Sequence, residues 1–172
     1  MTSVGPSTSM KERQVAHQYR ANVKWRRGGA AFTDQRYSRG HTWSFDGGVT
    51  VPASSSPLSV KLPYSVAEAI DPEEAFVAAL ASCHMLTFLY VAAKQGFVVD
   101  SYADDAVGEM TKNERGRLWV SKVTLSPAIA FAGEKRPSSE QLAELHHLAH
   151  EECYIANSVK SEVVVQGAMS FV

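Results

Sequence analysis

Two cysteines, Cys83 and Cys153, stand 70 positions apart in a chain of 172 residues. They are too few to staple a secreted scaffold, and the ordinary place of a cysteine is inside a core, as a small hydrophobe. If the fold brings the pair together, one thiolate oxidised to a sulfenic acid can be captured by the other as a disulfide. That is the chemistry of a thiol peroxidase or a redox sensor. The attacking sulfur must be a thiolate, and burial alone raises a thiol's pKa, so a cation must stand beside it. Arg39 and Arg36, both just ahead of His41 to Phe45, are candidates, although an arginine is more often a solvated surface charge.

A second chemistry competes for the same residues. His146, His150 and Cys153 fall at i, i+4 and i+7, one face of a helix and a spacing suited to zinc or another borderline metal. Cys83 or His84 would then have to arrive through the fold as the fourth ligand. A third reading is a non-catalytic ligand-binding or structural dimer in which the thiols are incidental.

The elements that must position these groups can be read along the chain. Val15 to Val51 alternates polar and apolar residues in short pieces, which predicts strands, with a hairpin turn at Asp46-Gly47. The Ser- and Pro-rich stretch from Pro52 to Pro63 predicts a loop. Asp71 as N-cap, Pro72 at the first helical position, Glu73 and Glu74 in the first turn and Gly96 past the end mark a long helix. Apolar residues occur on all its sides, so it must be buried all round, and one domain of this size has difficulty surrounding it. A second copy of the chain is the expected cover, which makes a homodimer. Its uncharged run from Ala75 to Ala93 has the length of a membrane span, but Ser82, Cys83, His84 and Thr87 break its middle. Phe97 to Thr111 and Arg117 to Phe131 predict two strands of a hairpin turning at Asn113-Glu114-Arg115-Gly116, with Pro127 limiting the second. Ser138 and Gln141 form a capping box for a second helix to about Glu152. Ser161 to Val172 predicts a closing strand.

Length bounds the whole to one domain over 13–172, preceded by a Ser, Thr, Gly and Pro tail over 1–12 that lacks the apolar stretch of a signal peptide. A reducing cytoplasm is the expectation. Seventeen Lys and Arg against eighteen Asp and Glu leave a net charge of -1, which gives no field for a nucleic-acid backbone or an anionic membrane.

The segment from Asp71-Pro72-Glu73-Glu74 to Ala81-Ser82-Cys83 resembles the Asn-Pro-Glu-Glu/Gln helix leading to Ala-Cys in the OsmC and organic hydroperoxide resistance (Ohr) family. Ala149-His150-Glu151-Glu152-Cys153 is similar to that family's second signature. The resemblance implies an α+β fold, with a long central buried helix wrapped by antiparallel sheets in an intertwined homodimer. It implies a thiol peroxidase that reduces organic hydroperoxides and is recycled by a dithiol such as a lipoylated protein, with no cofactor. Position by position, Cys83 matches the peroxidatic cysteine, Cys153 the resolving cysteine, Glu73 the helix-start glutamate and Arg39 the active-site arginine. Tyr154-Ile155-Ala156 follow Cys153 where peroxidase members carry proline and then serine, and Asp71 stands for their asparagine. Glu73 and Cys83 are ten helical residues apart, about 15 Å, too far to share an arginine along one straight helix, so each site is expected to be completed across the dimer. Phe76, Met85 and Phe88 are the apolar neighbours expected to favour an alkyl substrate.

Overall fold

The computed structural model of the chain describes residues 16–172; the tail expected over 1–12 lies outside them. The first sheet is antiparallel and made of β1 (Ala21–Lys24), β2 (His41–Phe45) and β3 (Thr50–Ala53). The turn expected at Asp46-Gly47 is present, and Phe45 and Val49 bond across it. The loop expected from Pro52 begins later, because Pro52 pairs with Thr42 as a residue of β3.

The long helix α1 spans Pro72–Lys94. Asp71 is extended and accepts the Glu74 N–H at 2.8 Å, and the Glu74 carboxylate accepts the Asp71 N–H at 3.1 Å. This capping box and the proline satisfy the donors that a helix start leaves open. Leu80, His84, Phe88, Val91 and Ala92 form one buried stripe, at the spacing of a single helix face. Burial all round is therefore not met within one chain. Across the helix from that stripe, Leu86 is 60% and Tyr90 64% exposed.

The long hairpin expected over residues 97–131 is broken at its middle into two pairs. β4 (Val98–Asp104) pairs with β7 (Pro127–Ala132), and β5 (Val107–Lys112) pairs with β6 (Leu118–Leu125) through the turn at Asn113 to Gly116. Gly116 has φ +70° there, a conformation natural to glycine. At the break the Asp104 carboxylate accepts the Ser126 N–H at 2.6 Å, and Pro127, which cannot donate to a ladder, opens the next strand. The closing strand is likewise two: β8 (Glu162–Val165) runs parallel to β6, and β9 (Ala168–Phe171) runs parallel to β7. Both C-terminal sheets are therefore mixed rather than antiparallel. Between β7 and β8 in sequence lies α2 (Ser139–Glu152), with the expected Ser138–Gln141 capping box.

The core is in two parts. Phe88, Val91, Ala92, Phe97, Ile129, Phe131, Leu142, Leu145 and Ala149 make one cluster, and Leu80, Val123, Leu125 and Cys153 make the other. The buried stripe of α1 runs from one to the other, and His84 is the residue between Leu80 and Phe88. By length and composition α1 could cross a membrane; its buried stripe packs instead against α2, β4 and the strands that follow.

Candidate functional site

α1 delivers Cys83 one helical turn from Leu80, and α2 ends by delivering Cys153 as its C-cap residue. The two thiols are free and meet: Cys153 is fully buried with Leu80, Val123 and Leu125, and half-buried Cys83 packs against that cluster. Burial, and then its hydrogen bond with Cys83, pushes the Cys153 thiol up to about 11; the Ala156 N–H, 3.4 Å from its sulfur, pulls the other way. Cys153 thus keeps its proton at neutral pH, while Cys83 is the sulfur with an open side.

The other expected residues are placed as follows. The Arg39 guanidinium donates to the carbonyls of Gln35 and Tyr37, both at 2.6 Å, and lies 3.9 Å over the Tyr37 ring. Arg36 donates its backbone N–H to the Asp34 carboxylate at 3.0 Å. Glu73 stands half-buried in the first turn of α1. Within one chain, neither arginine is bonded to Cys83 or Glu73. Phe88 packs against Tyr102, Phe131 and His146 and is fully buried, so it is core and not a substrate wall. Phe76 lines a hollow of about 300 Å³ with Trp119, Val120 and Val159, and Phe76 and Val120 also pack against the cluster that holds Cys153.

Sequence reasoning missed an imidazole pair. His84 Nε2 and His146 Nδ1 lie 3.1 Å apart, the rings are within 13° of parallel, and only 1% and 7% of the two residues is exposed. One ring donates and the other accepts, so the pair is built for neutral imidazoles. Burial, with His146 and then His150 nearby, lowers His84 to about 4, and burial lowers His146 to about 4. Among the described residues, His84 Nδ1 and His146 Nε2 have no hydrogen-bond partner. A Cβ on Gly167 would collide with His146 Nε2, so the chain needs glycine there to close over the ring. The available signal was a histidine in the uncharged middle of a mostly apolar helix, where a polar group needs a buried partner.

The pair also answers the zinc reading. His146 is committed to His84, and Cys153 is committed to the second cluster, so the shared face of α2 serves two partners instead of one ion. Among the described residues no three His, Cys, Asp or Glu side chains converge as metal ligands. Beside the pair, α2, β8, β9 and the turn between the two strands line an open cavity of about 620 Å³ that includes His146, His150, Val163, Val165, Gln166 and Met169.

A family model described as OsmC-like protein matches residues 65–167. The chain is 53% identical to an OsmC-like protein of unknown function from Vibrio cholerae, with a TM-score of 0.86 over 89% of this chain and 100% of that one. An organic hydroperoxide resistance protein from Elizabethkingia anophelis matches at 15% identity and a TM-score of 0.63, covering 93% of this chain and 100% of that chain. The organic hydroperoxide resistance protein OhrB of Bacillus subtilis matches at 18% identity and a TM-score of 0.57, covering 90% and 98%. At these identities the last two show a common fold. No curated protein matches the chain.

Proposed function

Because the chain belongs to the OsmC-like protein family, we propose that it is a cysteine thiol peroxidase for organic hydroperoxides, with Cys83 as nucleophile and Cys153 as resolving thiol. The observation that carries this reading is the meeting of two thiols from distant parts of the chain, one half-buried and the other sealed and held protonated. The organic hydroperoxide resistance proteins that share the fold add support.

In the proposed cycle the Cys83 thiolate attacks the terminal oxygen of the hydroperoxide, the O–O bond breaks, and the alkoxide takes up a proton to leave as alcohol. The Cys83 sulfenic acid is then attacked by the Cys153 sulfur; the S–O bond breaks, and the thiol proton leaves with the hydroxyl as water. A dithiol reduces the disulfide and is itself oxidised to a cyclic disulfide. The hollow beside Phe76 is the proposed side of alkyl entry.

The site is proposed to be completed in a homodimer. The open apolar face of α1, with Leu86 and Tyr90, is the surface a second copy would cover. Docking there is proposed to place an Arg39 guanidinium, held by a Glu73 carboxylate, beside the Cys83 thiolate and the developing alkoxide. The test is steady-state turnover of cumene hydroperoxide with dihydrolipoamide. Cys83→Ser is expected to abolish it, while Cys153→Ser is expected to give one turnover and a sulfenic acid that dimedone traps. Turnover by Cys83→Ser at the rate of the unsubstituted protein would remove Cys83 from the mechanism.

A further inference from the structure

We propose that the His84–His146 hydrogen bond is a positioning device for the thiol pair, holding α2 against α1 at the roll and slide that keep Cys153 on Cys83. This rests on the reading of Cys83 and Cys153 as a redox pair.

The geometry is that of a two-point attachment. Cys83 and His84 are consecutive on α1, whereas His146 and Cys153 are seven residues apart on α2. Seven helical residues advance about 10 Å and return to within about 20° of the same direction, so α2 presents both side chains to α1 along one face. Leu142, Leu145 and Ala149 pack α2 into the first core cluster, but apolar contacts are non-directional and by themselves still permit small rolls of the helix about its axis. A sulfur roughly 5 Å from that axis moves about 1 Å for a roll of some 15°. Disulfide formation tolerates little of this, since it needs a sulfur separation near 2 Å and a narrow torsion. The imidazole pair removes that freedom, because its 3.1 Å bond is directional and both residues are buried. His146 is fixed further by the Phe88 ring, 4.6 Å between centroids, and by Gly167 at its far nitrogen. Flanking apolar clusters hold Leu80 and Phe88 one turn to either side of His84, so the hydrogen bond cannot be exchanged for water without opening the core.

The experiment is a redox titration of the Cys83–Cys153 disulfide against glutathione in the full chain, with thermal melting as the check of folding. Four proteins are compared: unsubstituted, His84→Gln, His84→Asn, and the double variant His84→Leu with His146→Leu. The double variant removes both polar partners at once, the change a core tolerates best. The glutamine amide reaches the position of His84 Nε2, and the shorter asparagine amide does not. We expect the disulfide equilibrium constant to fall at least tenfold, about 30 mV, in the double variant and in His84→Asn, and to stay within about threefold of the unsubstituted value in His84→Gln. A folded double variant with the unsubstituted constant overturns the proposal. Should the double variant not fold, equal constants for His84→Gln and His84→Asn overturn it alone. Failure of the unsubstituted protein to form any disulfide sinks the redox reading and this proposal together, whereas a disulfide indifferent to all three variants sinks only the positioning role.

Discussion

Acid should loosen this protein at one identifiable place. Burial lowers His84 and His146 to about 4 in the fold from an ordinary 6.5, and His146 and then His150, both on α2, press His84 in the same direction. A depressed pKa means that the unfolded chain binds the proton more readily. The stability contributed by the two neutral rings is therefore fully present above about pH 6.5 and is lost as pH falls towards 4. Between pH 7.5 and pH 5 each ring acting alone would forfeit about 2 kcal/mol. Because the rings share one hydrogen bond, the joint loss should lie between about 2 and 4 kcal/mol. Urea unfolding followed by circular dichroism at the two pH values measures it directly. His17, His41, His147 and His150 are common to the unsubstituted chain and the His84→Leu, His146→Leu double variant, so the difference between the two proteins reports the imidazole pair together with its interaction with His150. The unsubstituted chain should lose at least about 2 kcal/mol more than the double variant on acidification. Equal losses in the two proteins would refute the reasoning, since the pair would then be taking up protons in the folded state as freely as in the unfolded one.

Other outcomes follow from packing. Gly167→Ala drives a methyl group into His146 Nε2 and should lower stability by about 1–3 kcal/mol in the same unfolding assay. Leu80→Ala empties a fully buried position beside Cys153 and should reduce stability by about 2–5 kcal/mol. Asp71→Ala removes the side chain that accepts the Glu74 N–H and should lower the unfolding free energy by about 1 kcal/mol. The exposed Leu86 and Tyr90 predict that Leu86→Lys with Tyr90→Glu converts a dimer to a monomer in light scattering while leaving the circular dichroism spectrum unchanged.

Local chemistry made the helices legible. Asp71-Pro72 and Ser138 with Gln141 announce helix starts through side chains within three residues of the backbone donors they satisfy, so no tertiary information was needed. The division of residues 97–131 between two sheets was not legible in the same way. It depends on a carboxylate of Asp104 meeting an amide 22 residues away and on which sheet each half of the C-terminal strand joins, both decided by distant pairing. For the site, the two cysteines were visible as residue types, and their meeting required the fold. The imidazole pair escaped because His146 and His150 share a helix face with Cys153, and that spacing suggests a common ion. Only burial and direction reveal that His146 turns to His84 and Cys153 to Leu80, Val123 and Leu125.

The parallel strands β8 and β9 carry a consequence for biosynthesis. During translation, residues 21–152 emerge with β6 and β7 each bonded on one side and carrying an open row of amides and carbonyls on the other. The ten residues from Glu162 to Phe171 supply the third strand to both sheets. A ribosome stalled before them would release a chain with two unsatisfied sticky borders, a substrate for chaperones and proteases. Closure of both sheets thus waits on Glu162–Phe171, and a product lacking that segment is marked by its unfinished sheets.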